Sequence, residues 1–266
     1  MVLHIGFGLQ DVTPPLGVAM DGYAKREGVA RAVHDPLQAR ALVAEDGSTA
    51  VAVVVADVIE LSRRQVERTG LLVERWTGIP RGHVIAAGTH THSGPVPWAK
   101  PPAGARPAPN HHYGQLLPDL LASAVCRAWA ERRPASLAAA TACTRAQTVN
   151  RRCPGAATDE ELCLIHVRRR GGADALVLSY ACHGVVMGPD NLSLSADWIG
   201  GTRAALERDH PGLFPVVLAA PSGDVNPLPG TVRRLLAEHG PEFFTNDPFS
   251  GIYDRTGGTF AEIEAM

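Results

Sequence analysis

The sequence predicts an α/β protein of mixed β-sheets with helices packed outside them, and three observations carry that reading. Apolar strand-like runs recur along the chain, stop at polar residues and give way to a turn or an amphipathic stretch, the grammar of strands alternating with helices. Two pairs of these runs flank strong hairpin turns, Asp46-Gly47 and Gly171-Gly172. The 27 glycines and 21 prolines exceed ordinary usage, which places many loops between the elements.

The N-terminus reads directly as strand and turn. Gln38 to Glu45 and Ala50 to Asp57 flank Asp46-Gly47 and are expected to pair antiparallel. Ser62-x-x-Gln65 has the form of a capping box, and the spacing of Val66, Leu71, Leu72 and Trp76 predicts a helix that Gly78-Ile79-Pro80 stops. His83 to Gly88 returns as a strand. Thr89 to Asn110 is too rich in Pro and Gly for regular structure, and a long loop inside a compact domain is more often functional than idle. Tyr113 to Arg133 is amphipathic and reads as a helix despite Pro118. Leu137 to Val149 reads as a strand, followed by a hairpin of Leu162 to Arg169 with Ala175 to Ala181. A helix from about Asp197 to Arg208 precedes a buried strand, Leu213 to Ala219, and a loop, Pro221 to Pro229. Thr259-x-x-Glu262 resembles a second capping box, opening a helix that the C-terminus cuts off.

Length and charge narrow the function. A chain of 266 residues can bury a substantial core as one large domain or two small ones. Lys+Arg 25 against Asp+Glu 27 leaves no basic excess to hold a phosphate backbone, so nucleic acid is excluded as a partner. The longest apolar runs, such as Ala50 to Val58, fall short of the ~20 residues of a membrane helix. With no signal peptide visible either, a cytoplasmic protein without a transmembrane segment is expected. Cys126, Cys143, Cys153, Cys163 and Cys182 are odd in number and scattered, which reads as small buried fillers in a reducing compartment. Nothing fixes an oligomeric state.

Four strands end at residues able to bind a metal or move a proton: Asp57, then His90 and His92, then His183, then Asp224. In open α/β sheets the carboxyl ends of strands form the ligand crevice, so a metal site is expected there. Thr89-His90-Thr91-His92-Ser93-Gly94-Pro95 is the sharpest segment. In an extended backbone residues i and i+2 share a side, so both imidazoles can approach one ion, or one can bind while the other transfers a proton. The competing reading is that these histidines merely hydrogen-bond the loop backbone. His183 alone reads as a satisfied core histidine until it is placed beside His90, and Asp197 reads as a helix cap. Ser222-Gly223-Asp224-Val225-Asn226-Pro227 forms a tight turn that can present backbone amides and the Asp224 carboxylate. Arg151 can offer a guanidinium to a carboxylate or a polarised carbonyl. His34-Asp35-Pro36 is ambiguous, and His111-His112 is expected on an exposed loop.

In kind and in order these segments resemble the neutral/alkaline (non-lysosomal) ceramidase family, in its N-terminal catalytic domain. The resemblance rests on Asp11-Val12-Thr13-Pro14, Met20-Asp21-Gly22-Tyr23-Ala24, the Thr89 to Pro95 string, Asn150-Arg151, His183 with Met187 to Asn191, Ser195-Ala196-Asp197 and Gly223-Asp224-Val225, over about residues 5 to 230. It implies a zinc-dependent hydrolase of a small-molecule or lipid-like amide, in which His90 and His183 bind Zn2+. His92 would act as base and proton shuttle, Arg151 would help hold the substrate, and Asp224 and Asn226 would complete the catalytic set. Asn226 stands where the family has a serine, so an acyl-enzyme route through that position is closed while a hydrogen bond is not. The family's further zinc ligands, a glutamate and a tyrosine, have no counterpart before Met266, so water or Asp57 would fill out the ion's shell. The expectation is therefore one catalytic domain over residues 1–266, incomplete at its C-terminus. The alternatives are a catalytically impaired fragment or binding protein that keeps the fold with an incomplete metal site, and a different metallohydrolase drawing in Asp57, His34 or Asp224.

Overall fold

A computed structural model of the chain describes residues 2–98, 109–153, 155–240 and 258–265. Its framework is two hairpins, each extended by a helical crossover. In the first, Asp46 accepts hydrogen bonds from the Ser48 and Thr49 amides, and Gly47 takes a φ of 89°. This closes β3 (Gln38–Glu45) on β4 (Ala50–Ala56), with Glu45 opposite Ala50, as expected. β1 (His4–Asp11) lines the other side of β3 antiparallel. The capping box at Ser62 and Gln65 is formed, and α1 (Arg63–Thr77) ends on Gly78 in the left-handed conformation. The chain then returns as β5 (Val84–Gly88), parallel to β4.

The second hairpin joins β8 (Glu161–Arg169) to β9 (Ala175–Tyr180), and α3 (Trp198–Asp209) crosses over to β11 (Phe214–Ala219), parallel to β9. β6 (Arg133–Cys143) links the halves: it pairs fully with β8 but with β1 only at Arg133 and Pro134, so the strand order is β11-β9-β8-β6-β1-β3-β4-β5, while the short strands β2 (Ala32–Val33) and β10 (Ser193–Leu194) pair parallel apart from it.

With so weak a joint, the sheet folds over and its halves face each other. Phe7 on β1 stacks on Phe214 of β11 at 5.4 Å, and Arg40 on β3 donates to the Pro215 carbonyl at 2.8 Å. Ile5, Phe7, Val167 and Ala175 form the core between the halves. Helices cover the outer faces, as the sequence predicts. α2 (Pro109–Ala130) packs on β1, β3 and β4 through Leu117, Leu121 and Val125, and α1 packs on α2 and β5, with Val73 in the same core. The approach of α2 is close enough to require glycine beneath it, since a Cβ on Gly8 would lie 2.0 Å from the Ala124 carbonyl oxygen. On the other side Trp198 and Ile199 of α3 and Ile263 of α5 (Phe260–Ala265) pack on Leu178 and Val217. The cap that opens α5 is formed, Thr259 and Glu262 exchanging hydrogen bonds.

Several expectations are corrected. Leu137 to Val149 is not one strand: β6 begins earlier, at Arg133, and the chain breaks at Ala146 (φ 58°) before β7 (Thr148–Asn150). The helix expected from Tyr113 starts at Pro109, because the Asn110 side chain ties this turn to Ala19 and Val96; His111 and His112 therefore sit in a first helical turn rather than a loop. The loop expected over 221–229 contains β12 (Val225–Pro227), paired antiparallel with β7, and leads into a helix that was not expected, α4 (Gly230–His239), for which Val232, Leu235 and Leu236 at i, i+3 and i+4 were the available signal. Of the cysteines only Cys182 is buried, Cys143, Cys153 and Cys163 being exposed, so buried filler describes one of them; all five are free. Part of the long Thr89–Asn110 loop lies outside the described residues. No helix among the described residues is long and apolar enough to cross a membrane.

Asp57 also departs from expectation. At the end of β4 its carboxylate is fully buried and takes both guanidinium arms of Arg203 on α3, at 3.0 and 2.7 Å, with the Gln38 amide at 2.7 Å. It is committed to joining the two halves, not to a metal. Asp57→Ala leaves Arg203 buried without a counter-charge and is expected to cost about 3–5 kcal/mol in urea unfolding, whereas Asp57→Leu with Arg203→Met recovers most of the loss. A loss below about 1 kcal/mol, the value of an exposed pair, would rule out this role.

Candidate metal centre

The two crossover units deliver their strand ends to one place. Beyond β5, Thr89 donates to the Ala56 carbonyl and His90 to the Val58 carbonyl, wrapping the chain around the end of β4. Here the segment is not extended as expected: His90 adopts φ 65°, a left-handed conformation unusual for a residue with a Cβ. The alternation survives the turn. Thr91 and Ser93 face away, Thr91 donating to the Ser195 carbonyl and Ser93 accepting from Asn191, while the rings of His90 and His92 face the same side. Beyond β9, His183 donates its amide to the Val225 carbonyl, and the His92 amide donates to the Gly184 carbonyl, which stitches the two histidine segments together.

Three imidazoles converge. His90 Nε2 lies 3.1 Å from His183 Nε2 and 3.5 Å from His92 Nε2. The far nitrogens are anchored: His90 Nδ1 contacts the Ile59 carbonyl at 2.9 Å, and His183 Nδ1 contacts the Ser222 carbonyl at 2.6 Å. A carbonyl can only accept, so both Nδ1 atoms carry the proton and both Nε2 atoms present lone pairs in the neutral ring. Two lone pairs aimed at each other across 3.1 Å repel unless a positive charge lies between them. Nitrogens ~2.05 Å from one tetrahedral zinc stand about 3.3 Å apart, so the spacing and the donor set both fit the ion.

Electrostatics keep the His92 and His183 rings uncharged. Burial, then the neighbouring His90, His183, Arg151 and Arg26, push His92 down to about 2. Burial, then Arg151 and His90, push His183 down to about 4. Neutral imidazole is the ligating and the proton-accepting form. His92 is also confined sterically. The Tyr23 ring meets its edge at 5.2 Å, and Gly22 (φ 102°) lies so close that a Cβ there would stand 2.5 Å from the imidazole.

A surrounding layer holds the loops. Asp197 caps α3 as expected, but it does more: its fully buried carboxyl, pushed up to about 6 by that burial, accepts from the amides of Val186, Met187 and Trp198. The Trp198 indole in turn donates to the His183 carbonyl at 2.9 Å. Arg151 grips the Gly223 carbonyl through Nε and Nη2, and Asp224 accepts from Asn150 at 2.8 Å. Asn226 is fully buried, and neither atom of its amide has a hydrogen-bond partner among the described residues. A cavity of about 380 Å³ opens beside His90 and His183, walled by Glu60, Ala87, Ala219 and Ser222.

Of the expected site residues, His90, His92 and His183 meet. Arg151, Asp224 and Asn226 lie on β12, on the turn before it, or at the end of the paired β7. Asp57, Asp224 and His34 stand outside the imidazole cluster among the described residues, His34 being stacked on Phe260. Tyr23, Trp198 and Ser222 were not assigned roles from sequence. Trp198 directly after the cap Asp197 was the available signal; a backbone acceptor such as Ser222 leaves none.

Comparison with known proteins agrees with this architecture. The family described as neutral/alkaline non-lysosomal ceramidase, N-terminal, matches residues 3–216. The chain superimposes over its whole length on a neutral ceramidase from Pseudomonas aeruginosa, with a TM-score of 0.76, 19% identity and 44% of that chain covered. A second solved structure, a ceramidase complexed with C2, gives a TM-score of 0.70 at 19% identity, with 43% of that chain covered. The chain thus spans less than half the length of the structures it matches. With four fifths of its residues inside the family match and the fold shared throughout, this chain belongs to the neutral/alkaline non-lysosomal ceramidase family.

Proposed function

We propose that the chain is a zinc-dependent hydrolase of linear N-acyl amides, with His90 and His183 as metal ligands. The observation that carries this is the pair of Nε2 lone pairs 3.1 Å apart, each fixed by a backbone carbonyl on the opposite ring nitrogen. When bound there, zinc would polarise an amide carbonyl and lower the pKa of water toward neutrality. The chain's own residues supply the rest. His92, neutral and 3.5 Å from His90, takes a proton at Nε2 from attacking water and returns it to the leaving nitrogen. Arg151 stands at the rim over Gly223 and holds the substrate carbonyl side. Asp224 fixes Asn150, and so the turn that carries both Gly223 and Asn226. Asn226 offers a hydrogen bond from a buried amide but no nucleophile.

Residues 1–266 form one catalytic domain in this reading, its metal shell completed by water or by groups outside the described residues. The substrate is a small-molecule or lipid-like amide, consistent with the ceramidases of the same fold, and five free cysteines fit a cytoplasmic setting. The second reading is a binding protein that keeps the fold but not the reaction; it is favoured by Asn226 and by the lack of a carboxylate in the imidazole cluster among the described residues.

Metal analysis and amidase assays separate the two. The purified chain is expected to bind about one zinc, and His90→Ala to lose both the metal and hydrolysis. His92→Ala is expected to keep the metal and lose about 10²–10⁴-fold in kcat. Metal retained without His90 would overturn the ligand assignment, unchanged turnover without His92 would remove the shuttle, and absence of both zinc and amidase activity selects the binding protein.

Asn226 gives an independent check. An unsatisfied buried amide costs about 1–3 kcal/mol. Asn226→Leu should therefore leave thermal stability equal or higher while lowering kcat/KM; lower stability with full activity would make the amide purely structural.

A further inference from the structure

We propose that two copies of this chain pair antiparallel along the outer edge of β6, forming a two-fold dimer. The edge is long and open. β1 accompanies β6 only at Arg133 and Pro134, and from Ser136 to Cys143 no strand lies on that side among the described residues. Ala135 donates its amide to the Leu3 carbonyl across this edge. The alternation of an antiparallel ladder then turns the N–H and C=O of Leu137, Ala139, Thr141 and Cys143 to the same side. Four donors and four acceptors face outward in a row.

The edge also lacks the devices that usually keep such strands apart. Every residue from Ser136 to Cys143 is exposed, and the stretch Ser-Leu-Ala-Ala-Ala-Thr-Ala-Cys contains no charge, proline or glycine. Leu137 is 53% exposed, and Ile165, opposite Ala139 on the adjacent strand, is 42% exposed.

Charge selects a second copy as the occupant and fixes its direction. At the Cys143 end, β8 brings Glu161 alongside, preceded by Asp159 and Glu160, against Arg145. At the Arg133 end it brings Arg168, Arg169 and Arg170, against Glu131. A copy running antiparallel sets the acidic end of one protomer beside the basic end of the other, twice over, because the interface is isologous. With Ala140 near the two-fold axis, no large side chain obstructs the approach. Pairing this single edge buries less than the ~1,200–2,000 Å² of a stable interface, so the dimer is weak, concentration-dependent and loosened by salt.

Sedimentation of the whole chain from about 1 to 200 µM tests this, a range that brackets affinities of a small interface. The wild type should pass from monomer to dimer, with less dimer at high salt. Thr141→Lys and Thr141→Glu each place like charges diagonally across the axis on one face of the paired strands and should weaken self-association at least about tenfold, or ~1.4 kcal/mol. Mixing the two variants should restore a heterodimer. Circular dichroism and melting temperature verify folding, and Ala139→Lys with Ala139→Glu replaces the pair if either Thr141 variant unfolds. A wild type monomeric throughout overturns the proposal. A dimer indifferent to both charge variants places the interface elsewhere and overturns it equally.

Discussion

The arrangement depends on two backbone carbonyls, Ile59 and Ser222, each accepting a proton from the rear nitrogen of a histidine. These bonds settle the tautomer and the ring orientation together, which is how second-layer contacts make an imidazole a competent ligand. Neither carbonyl could do so alone. His90 and His183 are 93 residues apart, and their lone pairs oppose each other at 3.1 Å only because Ile59 follows β4 and Ser222 follows β11 in opposite halves of the folded sheet. The convergence of the two imidazoles is thus a property of how the halves are docked, and the buried Asp57–Arg203 pair and the Phe7–Phe214 stack are among the contacts that dock them.

That docking explains why the sheet joint is weak. A β6 paired with β1 along its whole length would hold the halves in one continuous twisted surface, with the ends of β5 and β11 far apart. Two residue pairs at Arg133 and Pro134 keep the connection while letting the sheet fold over. The strand ends then converge as they do at a crevice of an open α/β sheet, although they come from separate βαβ units. The same weak joint leaves most of one edge of β6 without a strand beside it, so the folding-over that builds the centre also creates the exposed strand.

Much of this was legible in the sequence, where chemistry is local. Asp46-Gly47 and Gly171-Gly172 specify hairpins within four or five residues, Ser62 and Gln65 specify a cap, and the two crossovers follow from helices between apolar strands. The Thr89 to Pro95 string marked the centre through its family resemblance, since a bare His-x-His pair more often only hydrogen-bonds the backbone of its loop. What stayed hidden depends on distant groups. Asp57 resembled a ligand at a strand end, and only the arrival of Arg203 from α3 turns it into a joint. The first turn of α2 carries two prolines nearby and little apolar periodicity, so its start at Pro109 is set by Asn110 reaching Ala19 and Val96. The exposure of Cys143 and Cys163 follows from the overhang of β6 and β8, and that of Cys153 from the loop after β7, which no residue pattern encodes.

The two left-handed residues beside the centre show how local strain is tolerated there. His90 and Asp197 both take φ near 60° although neither is glycine, a conformation that carries a cost of order 1 kcal/mol or more. Each is over-determined by partners. His90 is held by Val58 at its amide and Ile59 at its ring, and Asp197 by three amides on its carboxyl and Ser195 at its own amide. A relaxed extended His90 would carry its ring away from the Ile59 carbonyl and unpair Nδ1, losing both the tautomer and the convergence with His183. A relaxed Asp197 would release Val186 and Met187, and with them the loop that follows His183. Strain at these positions is therefore the geometric consequence of bringing two imidazoles from different strands to one point, and the hydrogen bonds that offset it are the ones that orient the two rings.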